Sequence, residues 1–241
     1  MEWVMRRFMG MAAAVAMLAA SSAAQAEGRP APVQSVPGWE AVGRLNISGR
    51  SMCTGSLIAP DLVLTAAHCL YSPTNGRAVN PRRIKFEAGL VGRQSKAARQ
   101  VVKAVLHPGY DHRSGGEAQS GVDLAVLRLD RPISPQRIQP LSLAAAPSRG
   151  DTVDVLSYTY HQATTPSRQN ACRVLSSRQS MMVTSCRVDF GASGSPVLQL
   201  LPGRPPRLVS VISAKARMGG KRVSIATGLN HSLHSLMQAA G

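Results

Sequence analysis

The sequence predicts an all-β fold, a sandwich or barrel assembly in two halves. Three observations carry that expectation. Short apolar runs rich in Val, Ile and Thr recur about every dozen residues between turn residues. A proline-rich stretch, DRPISPQRIQPLSLAAAPSRG (130–150), interrupts the series and reads as a connection between halves of similar size. Helical spacing in the folded part is confined to the C-terminal end, in NHSLHSLMQAA.

Taken in order, residues 1–26 (MEWVMRRFMGMAAAVAMLAASSAAQA) carry Arg6 and Arg7, an apolar run over 9–20, and Ala24-Gln25-Ala26. That is the pattern of a cleaved secretory signal peptide. The apolar run is short for a bilayer span, and no later stretch is apolar enough for one. Residues 27–38, EGRPAPVQSVPG, hold three prolines and no apolar periodicity, so they read as a flexible leader or pro-segment. The first half, 39–135, then contains SLIA (56–59), LVLTAAH (62–68), RIKFEAG (83–89), RQVVKAVLH (99–107) and DLAVLRL (123–129). The second half, 136–241, contains VDVLSY (153–158), MMVTSC (181–186), PVLQLL (196–201), RLVSVIS (207–213) and VSIATGL (223–229). In the closing helix Leu233, Leu236 and Met237 share a face, and Asn230 stands where an N-cap is wanted.

Composition narrows the partners. The formal charge is +16, or +15 once residues 1–26 are set aside. Such a balance favours anionic surfaces, polymers or substrates, although a solvated arginine-rich surface has the same composition. Aromatic residues are 4% of the chain, too few for the stacking platforms of single-strand nucleic-acid binders, and no specific nucleic-acid partner is expected. The acids do not cluster in any one loop, so no calcium site or other metal is expected. A monomer is the simplest assembly.

Four cysteines, Cys53, Cys69, Cys172 and Cys186, form an even count in a chain read as exported, which suggests two disulfides. Three pairings are open. The pairs close in sequence, Cys53–Cys69 and Cys172–Cys186, are preferred, each contributing about 3 kcal/mol on the chain-entropy model. No C-x-x-C pair is present to suggest zinc.

The candidate chemistry starts from GASGSP (191–196), a stretch with no side chain large enough to fill a core. Ser193 within it would be a nucleophile only if a base removed its proton and a third group oriented that base. Of the six histidines, His68 alone ends an apolar strand pattern and precedes a cysteine able to pin it. Asp123 opens an alternating run, and an inward-facing carboxylate there needs a hydrogen-bonding partner. Gly191 would let a backbone N–H turn toward substrate unobstructed. Ser195 reads as a small packing residue.

CTGSLIAPDLVLTAAHCL (53–70), DLAVLRL (123–129) and GASGSP (191–196) resemble, in this order, the three catalytic blocks of the trypsin/chymotrypsin-type serine proteases. The resemblance runs from about Trp39 to the C-terminus. GxSGSP, with Cys186 five residues before Gly191, is closest to the bacterial branch that includes the glutamyl endopeptidases. The resemblance implies two antiparallel six-stranded β-barrels with a short C-terminal helix, no cofactor, and an active site between the barrels. It implies His68 as general base, Asp123 as its orienting acid and Ser193 as nucleophile. The N–H groups of Gly191 and Ser193 would form the oxyanion hole, and the substrates would be proteins or peptides. A catalytically silent, basic binding protein on the same scaffold is the alternative.

Two departures matter. Ala192 stands where digestive members have an aspartate that pairs with the new amino terminus, so the oxyanion loop must be held otherwise, with the disulfide of Cys186 as one means. Around the primary pocket Arg187 and Asp189 argue in opposite directions and could pair with each other. Ser213 resembles the serine whose backbone pairs with substrate, and no specificity is assigned.

Overall fold

A computed structural model describes residues 29–114, 117–178 and 180–241. The expected signal peptide, residues 1–26, lies outside them. Fourteen strands and two α-helices are found among the described residues: β1 (Arg29–Ala31), β2 (Val42–Ile47), β3 (Ser51–Ala59), β4 (Leu62–Thr65), β5 (Ile84–Ala88), β6 (Ala97–Leu106), α1 (Glu117–Ser120), β7 (Ala125–Leu129), β8 (Ser142–Leu143), β9 (Thr152–Thr159), β10 (Gln162–Ser177), β11 (Met181–Thr184), β12 (Pro196–Gln199), β13 (Arg207–Met218), β14 (Lys221–Gly228) and α2 (His231–Ala240).

Strands β2-β3-β4-β7-β6-β5 close into one antiparallel barrel, as the expected fold class requires. Strands β10-β11-β14-β13-β12-β9 form the second, closed by pairing of β9 with β10. Closure removes the open edges that an isolated sheet would present. Leu45, Leu57, Leu64, Ile84, Phe86 and Leu127 fill the first barrel, while Val155, Met182, Val197, Val209 and Ile212 fill the second. Each fully buried aliphatic side chain contributes about 1.5–3 kcal/mol of transfer free energy. Gly43 in β2 is forced by packing, because a Cβ there would run into the Phe86 ring.

Two barrel strands went unmarked in the sequence. In β2, Gly43 and Arg44 dilute the alternation of Val42, Leu45 and Ile47. In β10, QATTPSRQNACRVLSS, buried positions are confined to Pro166, Cys172 and Val174, so no apolar period is visible. The strand is set by its partners: it pairs with β9 along one side and with β1 and β11 along the other. Ala171, with φ of 52°, sits at a register shift within it.

The leader is docked. β1 pairs with β10, and Val33 and Val36 are buried. Both belong to the same apolar cluster as Trp39, Val42 and Leu45, a contribution that the prolines around them had masked. At the other end α2 behaves as expected: Asn230 Oδ1 accepts from Ser232 N at 3.0 Å, and Leu233 and Leu236 are buried. The helix packs on β6 and β7, so the chain's end returns to the first barrel. Cys53 is bonded to Cys69 and Cys172 to Cys186, the pairing preferred from the sequence.

Candidate active site

The site residues converge from both barrels. His68 lies in a 3-10 turn, Ala67–Leu70, directly after β4, and the Cys53–Cys69 bond ties that turn to β3. Asp123 precedes β7, which pairs with β4, so strand register brings the two residues together. Asp123 is 3% exposed, and each of its oxygens is used. Oδ1 accepts from His68 N at 2.9 Å; Oδ2 lies 2.6 Å from His68 Nδ1 and accepts from Ser213 Oγ at 2.6 Å. Three donors offset the cost of burying this carboxylate. With a proton on Nδ1 facing Asp123, the lone pair of a neutral His68 sits on Nε2.

Ser193 reaches the same place through backbone contacts. Its carbonyl accepts from Thr54 N at 2.8 Å, one residue from the Cys53 that anchors the histidine turn. Gly194, with φ of 80°, is pressed against Thr54, Thr65 and Ala66, and a Cβ there would run into Thr65 Oγ1 and the Thr54 carbonyl. Gly194 N donates to Ile212 O and Ile212 N to Ser195 O, which ties the glycine turn to the strand carrying Ser213. The Ser193 hydroxyl makes no hydrogen bond among the described residues. Ser195 is fully buried with its hydroxyl unpaired, consistent with a packing role.

The N–H groups of the turn divide sharply. Ala192 N donates to Asp189 O, Gly194 N to Ile212 O and Ser195 N to Ala192 O. Among the described residues, Gly191 N and Ser193 N donate to nothing. Gly191 itself has φ of 96°, and a Cβ there would sit 2.9 Å from Thr159 Cα, so glycine is required on both counts. An adjacent pair of unspent donors beside a serine is an arrangement able to hold an anionic oxygen.

The sequence did not single out Thr54, or the hydroxyl of Ser213. Thr54 is fully buried in β3; its Oγ1 accepts from Tyr158 N at 3.0 Å and lies 3.1 Å from the Gly191 carbonyl and 3.3 Å from that of Tyr158. The readable signal was a hydroxyl between Cys53 and Gly55, next to the cysteine that tethers the histidine turn. Cys53 and Cys69 also lie close to His68, but their sulfurs are joined and offer no thiolate to a metal.

A cavity of about 390 Å³ adjoins the glycine turn, lined by Arg187, Asp189, Lys215, Arg217 and Arg222 among others. Asp189 does not pair with Arg187. Its carboxylate takes Lys215 at 3.2 Å, lies 3.7 Å from His161 Nε2, and accepts from Phe190 N at 2.8 Å. The Phe190 amide, followed by Lys215, holds the Asp189 carboxyl below its ordinary pKa. Lys215 also stands 3.4 Å over the exposed Phe190 ring. One carboxylate thus faces four cations in this lining.

A family model described as Trypsin matches residues 26–234. A "Trypsin" of Saccharopolyspora erythraea is 32% identical over 108 residues, covering 44% of this chain and 41% of that protein. A "Glucanase inhibitor protein 4" of Phytophthora infestans is 34% identical over 105 residues, covering 43% of this chain and 36% of that protein. The alignments thus span less than half the length of these relatives. The solved structure of a Glu endopeptidase in complex with MPD superposes with a TM-score of 0.72 at 18% identity, over 90% of this chain and 97% of that one. At that identity the likeness speaks for the fold.

Proposed function

Because the chain belongs to the trypsin family, we propose that it is an exported serine endopeptidase working through an acyl-enzyme intermediate. Ser193 is the nucleophile, His68 the base and later the acid, and Asp123 the group that orients it. The observation that carries this reading is the buried Asp123 carboxylate, filled by two donors of His68 and by Ser213. That arrangement leaves Nε2 as the acceptor for the Ser193 proton. Oγ then bonds to the peptide carbonyl carbon, and the carbonyl oxygen takes the negative charge. Gly191 N–H and Ser193 N–H stabilise it, an effect of about 3–4 kcal/mol for such donors. The proton on Nε2 passes to the leaving amine as the C–N bond breaks, and water repeats the sequence on the ester. The cation-rich lining beside the turn disfavours a basic side chain at the cut.

Export rests on the pattern of residues 1–26 and on two disulfides, which persist outside reducing compartments. Among the described residues no helix is long and apolar enough to cross a membrane.

The test is treatment of the purified secreted protein with a fluorophosphonate, followed by peptide mapping. One adduct is expected on Ser193, and none in the His68→Ala variant. The second reading, a silent basic binding protein on this scaffold, draws on the charge and on the relative named as an inhibitor. A folded protein that takes up no label at Ser193 would favour it.

A further inference from the structure

A cleft larger than the one beside the glycine turn lies on the first barrel. It has a volume of about 810 Å³ and opens at one end of the barrel, between the β2–β3 turn and the loop that follows His68. Its lining includes Arg50, Arg77, Arg82, Arg83 and Lys85, and no acidic residue. All five are exposed. Lys85 lies 3.5 Å from Glu87, but among the described residues none of the four arginines has a carboxylate partner. Elsewhere arginines do find acids: Arg44 meets Glu87, Arg168 meets Asp154 and Arg128 meets Asp61. Cations gathered without counter-charge repel one another and weaken the compact state.

The backbone beneath these side chains is fixed. Ser48 N donates to Arg83 O, Ser72 N to Arg77 O and Arg50 N to Ile47 O. Gln100 Nε2 holds the carbonyls of Arg82 and Ile84 at 2.8 and 2.6 Å. Four guanidinium groups therefore project from a constrained frame, each able to grip a carboxylate with two parallel N–H groups.

We infer that this cleft is an exosite that binds an acidic peptide segment. The lining contains no aromatic residue on which bases could stack, which disfavours single-stranded nucleic acid. It is concave, and the exposed large apolar residues Val91, Leu143, Tyr160, Phe190 and Met218 all lie outside it, which disfavours insertion into a membrane surface. Hydroxyl and amide side chains on its walls, Ser51, Ser72, Thr74 and Asn75 among them, suit a peptide backbone. Its position favours a peptide too: one wall begins four residues after His68 and the other ends two residues before Cys53. That last argument rests on the endopeptidase reading, in which a substrate's acidic stretch would lie here while another part meets Ser193.

The test uses the full secreted protein carrying Ser193→Ala, so that binding is read without hydrolysis. The probe is a fluorescein-labelled peptide of alternating aspartate and glutamate, followed by anisotropy. Binding is expected, and the double variant Arg82→Glu/Arg83→Glu should weaken it by about tenfold or more. The control Arg149→Glu/Arg204→Glu changes net charge equally, outside the cleft, and should leave it within about twofold, with the difference fading as salt rises. Should the first variant fail to fold, Arg50→Gln/Arg77→Gln addresses the same walls without charge reversal. Equal losses in cleft and control variants would mean diffuse attraction and overturn the proposal. So would binding of dextran sulfate or a single-stranded oligonucleotide without binding of the peptide, or binding of none of them. Fluorophosphonate labelling of the unsubstituted protein is read separately, so an inert Ser193 and an empty cleft are distinguishable results.

Discussion

Thr54 in the first barrel is joined to Gly191 in the second by a hydroxyl-to-carbonyl contact of 3.1 Å, while its N–H holds the Ser193 carbonyl at 2.8 Å. The glycine turn is thus clamped at two points by one buried residue. Ala192 cannot form an ion pair, and the contacts of Thr54 restrain the turn by hydrogen bonds instead. Thr54→Val keeps the shape and removes the hydroxyl. It should lower kcat by about ten- to a hundredfold through misplacement of the turn, with little change in KM. Thr54→Ser should restore most of the loss. Steady-state kinetics on one peptide substrate would check this, and a valine variant with unchanged kcat would remove Thr54 from the positioning role.

The proposed triad has a graded signature. Ser193→Ala should reduce kcat by about a millionfold. Asp123→Asn should reduce it by about ten-thousandfold, because an amide facing Nδ1 favours the tautomer whose Nε2 already carries a proton. Both variants should keep the barrels folded by circular dichroism. An Asp123→Asn protein as active as the parent would contradict the orienting role.

Two glycines with positive φ separate strain from crowding. Gly203, with φ of 67°, has nothing within 4 Å of where a Cβ would stand, whereas Gly194 has Thr54, Thr65 and Ala66 around it. Gly203→Ala should cost about 1–2 kcal/mol from backbone strain. Gly194→Ala should cost about 3 kcal/mol or more, because Thr65 and the backbone must also shift. Urea titrations of the two variants would measure the gap, and similar costs would mean that the Gly194 neighbours yield freely.

Acid should destabilise the fold through His107. This residue follows β6, its Nδ1 accepts from Gly109 N at 3.1 Å, and its Nε2 is buried without a partner. Burial lowers its pKa below the ordinary 6.5. The unfolded chain therefore takes up the proton first as pH falls. The contribution to stability is complete above the unfolded value of about 6.5 and is lost as pH drops through the folded value. The Tm should fall between about pH 7 and pH 5, and His107→Asn, which keeps an acceptor toward Gly109 but does not titrate, should flatten that part of the curve. An unchanged slope in the variant would assign the fall to other groups.

How much of this was legible depended on what each residue touches. The spacing in TAAHC, DLAVL and GASGSP marked His68, Asp123 and Ser193 because the roles proposed for them demand particular residue types beside them. Asn230 and the α2 face were legible because a cap and a helical period are local. Thr54 was not, since its contacts with Gly191 and Tyr158 span more than a hundred residues of chain. Lys215 and Asp189, 26 residues apart, were not paired in the sequence either, because only the folded second barrel brings β13 beside the segment before the glycine turn. β10 was hidden because its neighbours on both sides satisfy its backbone while its side chains are mostly polar and half-buried.

The docking of β1 bears on how the chain could mature. At 168–170 the middle of β10 is flanked by β9 on one side and by β1 on the other. Arg168 adds a second tie, donating to Asp154 Oδ2 at 2.6 Å and to Ser35 Oγ at 2.5 Å. A processing cut after residue 36 would strip away Val33 and Val36 and leave a strand margin of unpaired N–H and C=O groups facing solvent. Such a margin is adhesive toward any other extended chain, a second copy included. Trimming of the leader would then uncover an adhesive margin, unless the cut falls before Arg29 and spares the strand.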